Sequence, residues 1–260
     1  MKRLQNIISK TAPFITVAFI LLIWFFVSDS GIIPKFMLPT PESVVKAFVN
    51  DFSLLMGHAA VTLQEAGYGL IIGCIIAIVT ATVMDRFTLV YKALYPVLVV
   101  TQTIPSIAIA PLLVLWMGFG MAPKITLVVI TTFFPITVGL LNGLRSADKD
   151  AIDLFRAMGA GRIQIYRHIK FPSALSQLFS GLRIAAAYSV VGAVISEWLG
   201  GFNGLGVYMT RVKKAYAFDK MFAVIVFISI ISLLLMYFIS LLEKIAMPWT
   251  KENKKGKKIR

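Results

Sequence analysis

The stretch RSADKDAIDLFRAMGAGRIQIYRHIKFP, residues 145–172, decides how the rest of the chain is organised. It lies between two strongly apolar segments, yet it contains nine charged residues. The stretch is too long for a tight turn and too regular for a flexible linker. We therefore expect it to fold as a structured loop outside a membrane.

The first part of this loop predicts an amphipathic helix over residues 148–158. Ser146 or Asp148 is suited to be its N-cap, and Gly159 lies just past its end. Three apolar residues recur at three-residue steps on one face: Ile152, Phe155 and Met158. Such a ridge on a helix outside the membrane is typical of a docking surface for a soluble partner.

The second part of the loop predicts another short helix, over residues 162–170. Pro172 follows, and we expect it to stop this helix because proline cannot donate a backbone hydrogen bond. The loop is thus predicted to be a pair of short helices with a basic flank.

The same residues carry a resemblance to a known family. Inner-membrane permeases of binding-protein-dependent ABC importers have a cytoplasmic loop of pattern E-A-A-x3-G-x9-I-x-L-P. Here Asp153-Leu154-Phe155, Gly159 and Ile169-Lys170-Phe171-Pro172 stand at the matching spacing, with Asp for Glu, two bulky residues for the alanines and Phe for Leu. The resemblance implies that the following residues couple a cytoplasmic ATPase to the permease: Asp153, Leu154, Phe155, Ala157, Gly159, Ile169 and Pro172.

Composition places the chain among membrane proteins. Of its 260 residues 58% are hydrophobic and only 15% are charged, whereas a soluble domain has about 25% charged residues. We expect an all-α, polytopic helical bundle, the fold that the resemblance implies for a type I importer permease. The net charge of +14 would suggest nucleic acid for a soluble protein, but no nucleic acid partner is expected here. The single cysteine, Cys74, excludes a disulfide framework.

Six apolar segments are predicted to cross the membrane: residues 14–27, 59–84, 89–119, 125–144, 175–195 and 221–242. We divide the chain into an N-terminal tail (1–11), a transmembrane permease domain (12–245) and a basic C-terminal tail (246–260). Lys and Arg are most frequent in the two tails and in the 145–172 loop. The positive-inside rule therefore places both termini and that loop in the cytoplasm of a bacterial cell.

The third apolar segment is too long for one simple span, and Pro96, Pro105 and Pro111 interrupt it. Its polar run 101–106 admits two explanations. Backbone groups freed by a break line a water-filled cavity, or a kinked helix is satisfied by its own Ser and Thr side chains. Together with the polar face of the fifth segment, this run supplies the candidate translocation path: Thr101, Gln102, Thr103, Ser106 and Ser189.

Two stripes of small residues recur at four-residue steps, one in the second segment and one in the fifth. Their members are Gly69, Gly73, Ala77 and Ala81, and Gly181, Ala185, Ser189 and Ala193. Such stripes let helix backbones approach closely. Because six helices make a small bundle, we predict that a second copy of the chain packs on these faces and completes a homodimer.

The sequence offers no energy source of its own. It contains no phosphate-binding G-x4-G-K-[ST], its two histidines are far apart, and Glu65 is the one carboxylate that we place within a span. We expect no metal, no catalytic site and no buried pair of ionisable groups. The chain is interpreted as a transport subunit that binds no cofactor, with ATP and Mg²⁺ on a separate ATPase. An ion-coupled secondary transporter and a non-transporting scaffold are the alternatives.

Three further stretches resemble the nitrate/sulfonate/taurine branch of these permeases: Leu38-Pro39-Thr40-Pro41, Gln102-Thr103-Ile104-Pro105 and residues 192–206. Residues 192–200 and 208–211 look closest to members that import pyrimidine precursors of thiamine. Alkanesulfonate, taurine and nitrate are the alternative substrates. The resemblance implies two copies of an ATPase and an extracytoplasmic solute-binding protein as partners.

Overall fold

The computed structural model describes residues 2–31, 33–34 and 36–249, with side chains from residue 11 onward. All regular structure in these ranges is helical. The helices are α1 Lys2–Asp29, α2 Pro41–Asn50, α3 Phe52–Arg86, α4 Thr88–Thr103, α5 Ser106–Met117, α6 Met121–Arg145, α7 Lys149–Ala157, α8 Arg162–Ile165, α9 Phe171–Gly200, α10 Leu205–Lys214 and α11 Phe218–Ala246. A π-helical turn, Tyr166–Lys170, joins α8 to α9. The predicted C-terminal tail lies outside the described residues from 250 onward.

The six-span layout agrees with these helices. Five helices of the described part are long and apolar enough to cross a membrane, and the bent α4–α5 pair is a sixth if it counts as one span. α1 contributes its residues Thr11–Asp29 and continues back to Lys2, so the predicted N-terminal tail is largely helical. The short surface helix α2 is capped by Thr40, whose hydroxyl accepts the Ser43 N–H at 3.2 Å.

α6 is the central helix, and it packs against α3 on one side and α9 on the other. The small residues permit this approach. A Cβ at Gly73 would strike the Thr132 side chain of α6, and one at Gly181 would strike the Pro135 carbonyl. Close helix packing by the two stripes is thus confirmed, but their glycines face α6 of the same chain rather than a second copy.

The third apolar segment is broken at Ile104 and Pro105. α4 and α5 meet there at 98°. Ile104 has the extended conformation (φ −82°, ψ 120°) that a residue before proline prefers, so the helix ends at Thr103. Pro96 and Pro111, by contrast, lie inside helices.

The prediction that Pro172 stops the second loop helix is wrong. Helical structure runs without a break from Arg162 to Gly200 through the π-helical turn. Proline in a helix interior normally strikes the carbonyl four residues earlier, here that of His168. The wider π-helical turn contains this carbonyl and makes room for the ring.

Candidate functional site: the 145–172 loop and the cavity at the α4–α5 break

The first loop helix, α7, is fixed at both ends by local contacts. At its start, the Asp148 carboxylate accepts the Asp150 N–H at 2.9 Å, as predicted for an N-cap. At its end, Gly159 adopts φ +82°, the left-handed conformation that favours glycine. The Ala160 N–H then bonds the Phe155 carbonyl at 2.9 Å and closes the reversal. These contacts define one conformation for the turn between α7 and α8.

The inner side of the loop has a small apolar core of its own. Ile152 of α7, Ile165 of α8 and Ala147 form one cluster of buried side chains. Phe155 and Ile169 pack on this cluster and are partly buried. The two short helices are therefore held together as one unit by burial of apolar side chains.

The outer side of the loop exposes large apolar residues. Leu154, Met158 and Ile163 are 61%, 74% and 84% exposed. The predicted ridge is therefore split, because Ile152 and Phe155 face inward whereas Met158 lies beyond the last helical residue and faces outward. Exposed apolar residues on a rigid, charged loop are typical of a protein interaction site.

The remaining predicted loop residues lie on the same exposed surface or at its base. Asp153 is exposed and pairs with Arg156 of the same helix at 2.9 Å. Ala157 is exposed as well. Pro172 lies at the start of α9, away from the α7–α8 turn. Their part in coupling stays a prediction.

Two contacts tie the loop to the end of α3. Lys170 in the π-helical turn forms an ion pair with Asp85 at 2.7 Å. One turn earlier, the hydroxyl groups of Tyr166 and Thr82 are 3.2 Å apart. Beside these contacts lies an open cavity of about 810 Å³, which Arg86 and residues 161–164 help to line. The loop is thus in contact with α3 and continuous with α9.

A second cavity, of about 260 Å³, lies at the α4–α5 break. Its wall includes three of the residues predicted for the translocation path: Thr101, Gln102 and Ser106. The Thr101 hydroxyl also donates to the Leu98 carbonyl at 2.6 Å. The broken helix therefore borders a cavity, and the Thr101 hydroxyl also bonds a carbonyl of its own helix; the role of this run in a translocation path stays a prediction.

The two other residues predicted for the path are not among those lining this cavity. The Thr103 hydroxyl donates to the Val100 carbonyl at 2.8 Å, and its side chain is exposed. Ser189 is buried and donates to the Ala186 carbonyl at 2.8 Å. Tyr188, next to Ser189, does line the cavity, as does Thr131 of α6. Tyr188 and Thr131 become part of the cavity wall only because α6 and α9 pack beside the break. No local sequence pattern predicted this.

At the opposite end of the bundle from the loop, charged side chains are buried together. Lys124 of α6 forms an ion pair with Glu65 of α3 at 2.6 Å. Glu197 of α9 is also buried and accepts the Thr62 hydroxyl at 2.6 Å. The expectation that the chain buries no pair of ionisable groups is therefore wrong. Lys124 and Glu197 lie at the ends of two apolar segments that are far apart in the chain, and no local pattern indicates that they meet.

The comparisons with known proteins agree with this architecture. Residues 69–248 match the family described as binding-protein-dependent transport system inner membrane component. A probable ABC transporter permease protein of Haemophilus influenzae is 36% identical over 86% of this chain and 92% of its own length. The formylaminopyrimidine transport permease protein ThiX of Halalkalibacterium halodurans is 35% identical over 97% of this chain and 100% of its own length.

Solved structures show the same fold at low sequence identity. A chain in the crystal structure of an amino acid ABC transporter with histidines aligns with a TM-score of 0.61 at 15% identity, over 78% of this chain and 96% of its own. Members of the matching family are permease subunits of ABC importers and leave ATP hydrolysis to a separate subunit. The chain spans the membrane several times and belongs to the binding-protein-dependent transport system inner membrane component family.

Proposed function

We propose that this chain forms the translocation path of an ATP-driven importer for a small, uncharged heterocycle of the thiamine-precursor pyrimidine class. The observation that carries the proposal is the cavity at the α4–α5 break, which places Thr101, Gln102, Ser106 and Tyr188 around one space. Hydroxyl, amide and aromatic groups together suit a planar ring with hydrogen-bonding edges. Loss of the helical geometry at Ile104 and Pro105 is of the kind found where a membrane protein lines a solute path.

The substrate class is supported by the neutrality of this cavity. The residues that line it include no Lys, Arg, Asp or Glu. An anion inside a membrane requires a compensating charge, because the desolvation of an unpaired charge is unfavourable. The 35% identity to a formylaminopyrimidine permease points the same way. Alkanesulfonate, taurine and nitrate remain the alternative, since a taurine permease of Escherichia coli is 27% identical over 90% of the chain.

Coupling to ATP hydrolysis is assigned to the 145–172 loop. The family implies an ATPase partner and a binding protein. The exposed Leu154, Met158 and Ile163 would enter an apolar groove of the ATPase, and Asp153 with Arg156 would lie at its polar rim. ATP and Mg²⁺ would be bound by that partner, with one ATPase copy for each permease copy.

A second copy of the chain would complete the path. Thr103, Ile104 and Pro105 are exposed beside the cavity, so one copy leaves it open on that side. We assign both termini and the loop to the cytoplasmic side of a bacterial inner membrane. The opposite end of the bundle, which contains Glu65, Lys124 and α10, is assigned to contact with the binding protein. Native mass spectrometry should find two identical permeases with two ATPases, and two different permeases would contradict the homodimer.

The experiment that tests the substrate uses the solute-binding protein that stimulates ATP hydrolysis by the reconstituted permease–ATPase complex. We expect this binding protein to bind formylaminopyrimidine and the liposomes to accumulate it when ATP is supplied. Accumulation of taurine, alkanesulfonate or nitrate, with no uptake of the pyrimidine, would replace the proposed substrate but leave the importer in place.

The buried Glu65–Lys124 pair favours one other function, ion-coupled secondary transport, because such transporters bury paired ionisable groups. Liposomes that contain the permease alone distinguish the two. Uptake driven by an ion gradient without the ATPase would support the secondary transporter, whereas uptake that requires the ATPase and ATP supports the importer.

A further inference from the structure

The end of the bundle opposite the loop contains a buried carboxyl cluster, formed by Thr62, Glu65, Lys124 and Glu197. The three charged residues come from three different helices and are 0%, 5% and 1% exposed, for Glu65, Lys124 and Glu197 respectively. Lys124 Nζ lies 2.6 Å from Glu65 Oε1. Glu197 accepts the Thr62 hydroxyl on one oxygen and the Gly206 N–H on the other, each at 2.6 Å.

The charges within this cluster do not balance. Two carboxyl groups share one lysine, so the ionised cluster would hold one negative charge in excess. An uncompensated charge that is buried this completely is strongly unfavourable.

The charged and titratable groups packed around the cluster do not supply the missing cation. His58 of α3 uses Nδ1 to accept the Gly204 N–H at 3.0 Å, so that nitrogen carries no proton. Arg211 of α10 is exposed and donates to the Phe202 carbonyl. Asp51, Tyr208 and Lys220 bond one another instead, the hydroxyl and the ammonium both to the Asp51 carboxylate.

One atom of the cluster lacks a partner. Glu65 Oε2 is buried and receives no hydrogen bond from any described residue. Glu65 lies three residues after Thr62 on the same face of α3, and Thr62 bonds Glu197, so the two carboxyl groups are neighbours within the cluster. Two ionised carboxylates cannot hydrogen-bond to each other, because each is only an acceptor. A protonated carboxylic acid, by contrast, donates a short and strong hydrogen bond to a carboxylate.

We propose that Glu65 and Glu197 bind one proton between them, so that the buried carboxyl cluster is a proton site. The proton supplies the donor that Glu65 Oε2 lacks, removes the repulsion between the carboxyl groups and leaves the cluster neutral. It also joins α3 to α9 and, through the Gly206 N–H, to the first turn of α10, which begins after Gly204. A Cβ at Gly204 would strike the Glu197 carboxyl, so this turn lies directly on the proton site.

The test is infrared spectroscopy of the full-length chain in lipid nanodiscs at neutral pH, with glutamate labelled by ¹³C at the side-chain carboxyl. We expect the C=O stretch of a protonated carboxylic acid, shifted by the label and removed by Glu65→Gln and by Glu197→Gln. Glu42→Gln is the matched control, because Glu42 is exposed and paired with Lys46 on the surface. This variant should keep the band.

Two results would overturn the proposal. The first is a wild-type spectrum without a label-sensitive C=O stretch of a protonated carboxylic acid. This measurement uses only the wild-type chain, so it does not depend on whether a variant folds. The second is a band that survives in either glutamine variant, since a single shared proton requires both carboxyl groups. The outcome does not depend on the transported solute, so it is separate from the test of the proposed function.

Discussion

Gly159→Val is the substitution that tests most directly whether the 145–172 loop couples the permease to an ATPase. Gly159 has φ +82°, a conformation that is strained for any residue with a Cβ and most of all for a β-branched one. A Cβ there would meet no atom within 4 Å. The substitution therefore acts through backbone strain alone, of about 1–3 kcal/mol.

This strain converts into a loss of partner binding. The loop can relieve the strain by leaving the α7–α8 reversal, so the conformation seen here becomes a minor one. At about 1.4 kcal/mol per factor of ten, binding of the ATPase should weaken by about 5-fold to about 150-fold. Stimulation of ATP hydrolysis by the loaded binding protein should fall in parallel.

Gly161→Val is the matched control in the same loop. Gly161 has φ −71° and ψ 166°, an extended conformation that suits valine. Its Cβ would meet only Gln164 Oε1, at 3.7 Å. Affinity for the ATPase is measured with both variants in nanodiscs, and hydrolysis in proteoliposomes. Equal, undiminished affinity and stimulation in both variants would show that the reversal at Gly159 is not needed, and the coupling argument would fail.

Three other predictions follow from the packing, the cavity and the opposite end of the bundle. Gly181→Ala should lower the free energy of unfolding by about 1–3 kcal/mol, because its Cβ would strike the Pro135 carbonyl. Gly67→Ala in α3 is the control: its Cβ meets nothing within 4 Å, so in the same thermal unfolding assay it should stabilise the chain by about 0.5–1 kcal/mol through the higher helix propensity of alanine. Ser106→Trp should fill the cavity of about 260 Å³ and reduce uptake at least about tenfold while the ATPase still binds, and unchanged uptake would remove Ser106 from the path. Hydrogen bonds from Lys220 and, second, from Tyr208 hold the pKa of Asp51 below its ordinary value of 3.8. The ionised Asp51 carboxylate therefore stabilises the fold above pH 3.8, and this stabilisation is lost as the pH falls through the pKa that Asp51 has in the folded chain. Asp51→Asn should lower the unfolding temperature at neutral pH, and the difference from wild type should disappear in acid.

The features predicted most accurately from the sequence are those that depend on residues close together in the chain. The N-cap at Asp148 and the left-handed turn at Gly159 depend on contacts within a few residues, and both are present. Pro172 also obeys a local rule, but the rule assumes α-helical geometry, and the π-helical turn before it changes the spacing of the carbonyls. The prediction failed there because the sequence gives no local sign of a π-helical turn.

The buried charges could not be predicted because their contacts connect distant parts of the chain. Glu65 and Lys124 are 59 residues apart, and Thr62 and Glu197 are 135 apart. Each charged residue by itself is consistent with a helix end in contact with water, and only the packing of α3 and α9 on α6 brings the three together. The same holds for Tyr188 and Thr131, which become part of the cavity wall through that packing.

One continuous helix connects the 145–172 loop, the cavity at the α4–α5 break and the buried carboxyl cluster. It begins in the loop at Arg162, passes the cavity at Tyr188 and Gly192, and reaches the carboxyl cluster at Glu197. At a rise of about 1.5 Å per residue, the distance from the loop to the cavity is roughly 30–40 Å. We propose that this helix moves as a rigid body over that length, so that a tilt imposed at the loop would displace the cavity wall. The π-helical turn is the one segment of this helix with weaker geometry, and the Lys170–Asp85 ion pair lies at its end. We therefore expect this turn to determine how much of a motion of the ATPase reaches the cavity, and Lys170→Met to reduce uptake more than it reduces ATP hydrolysis.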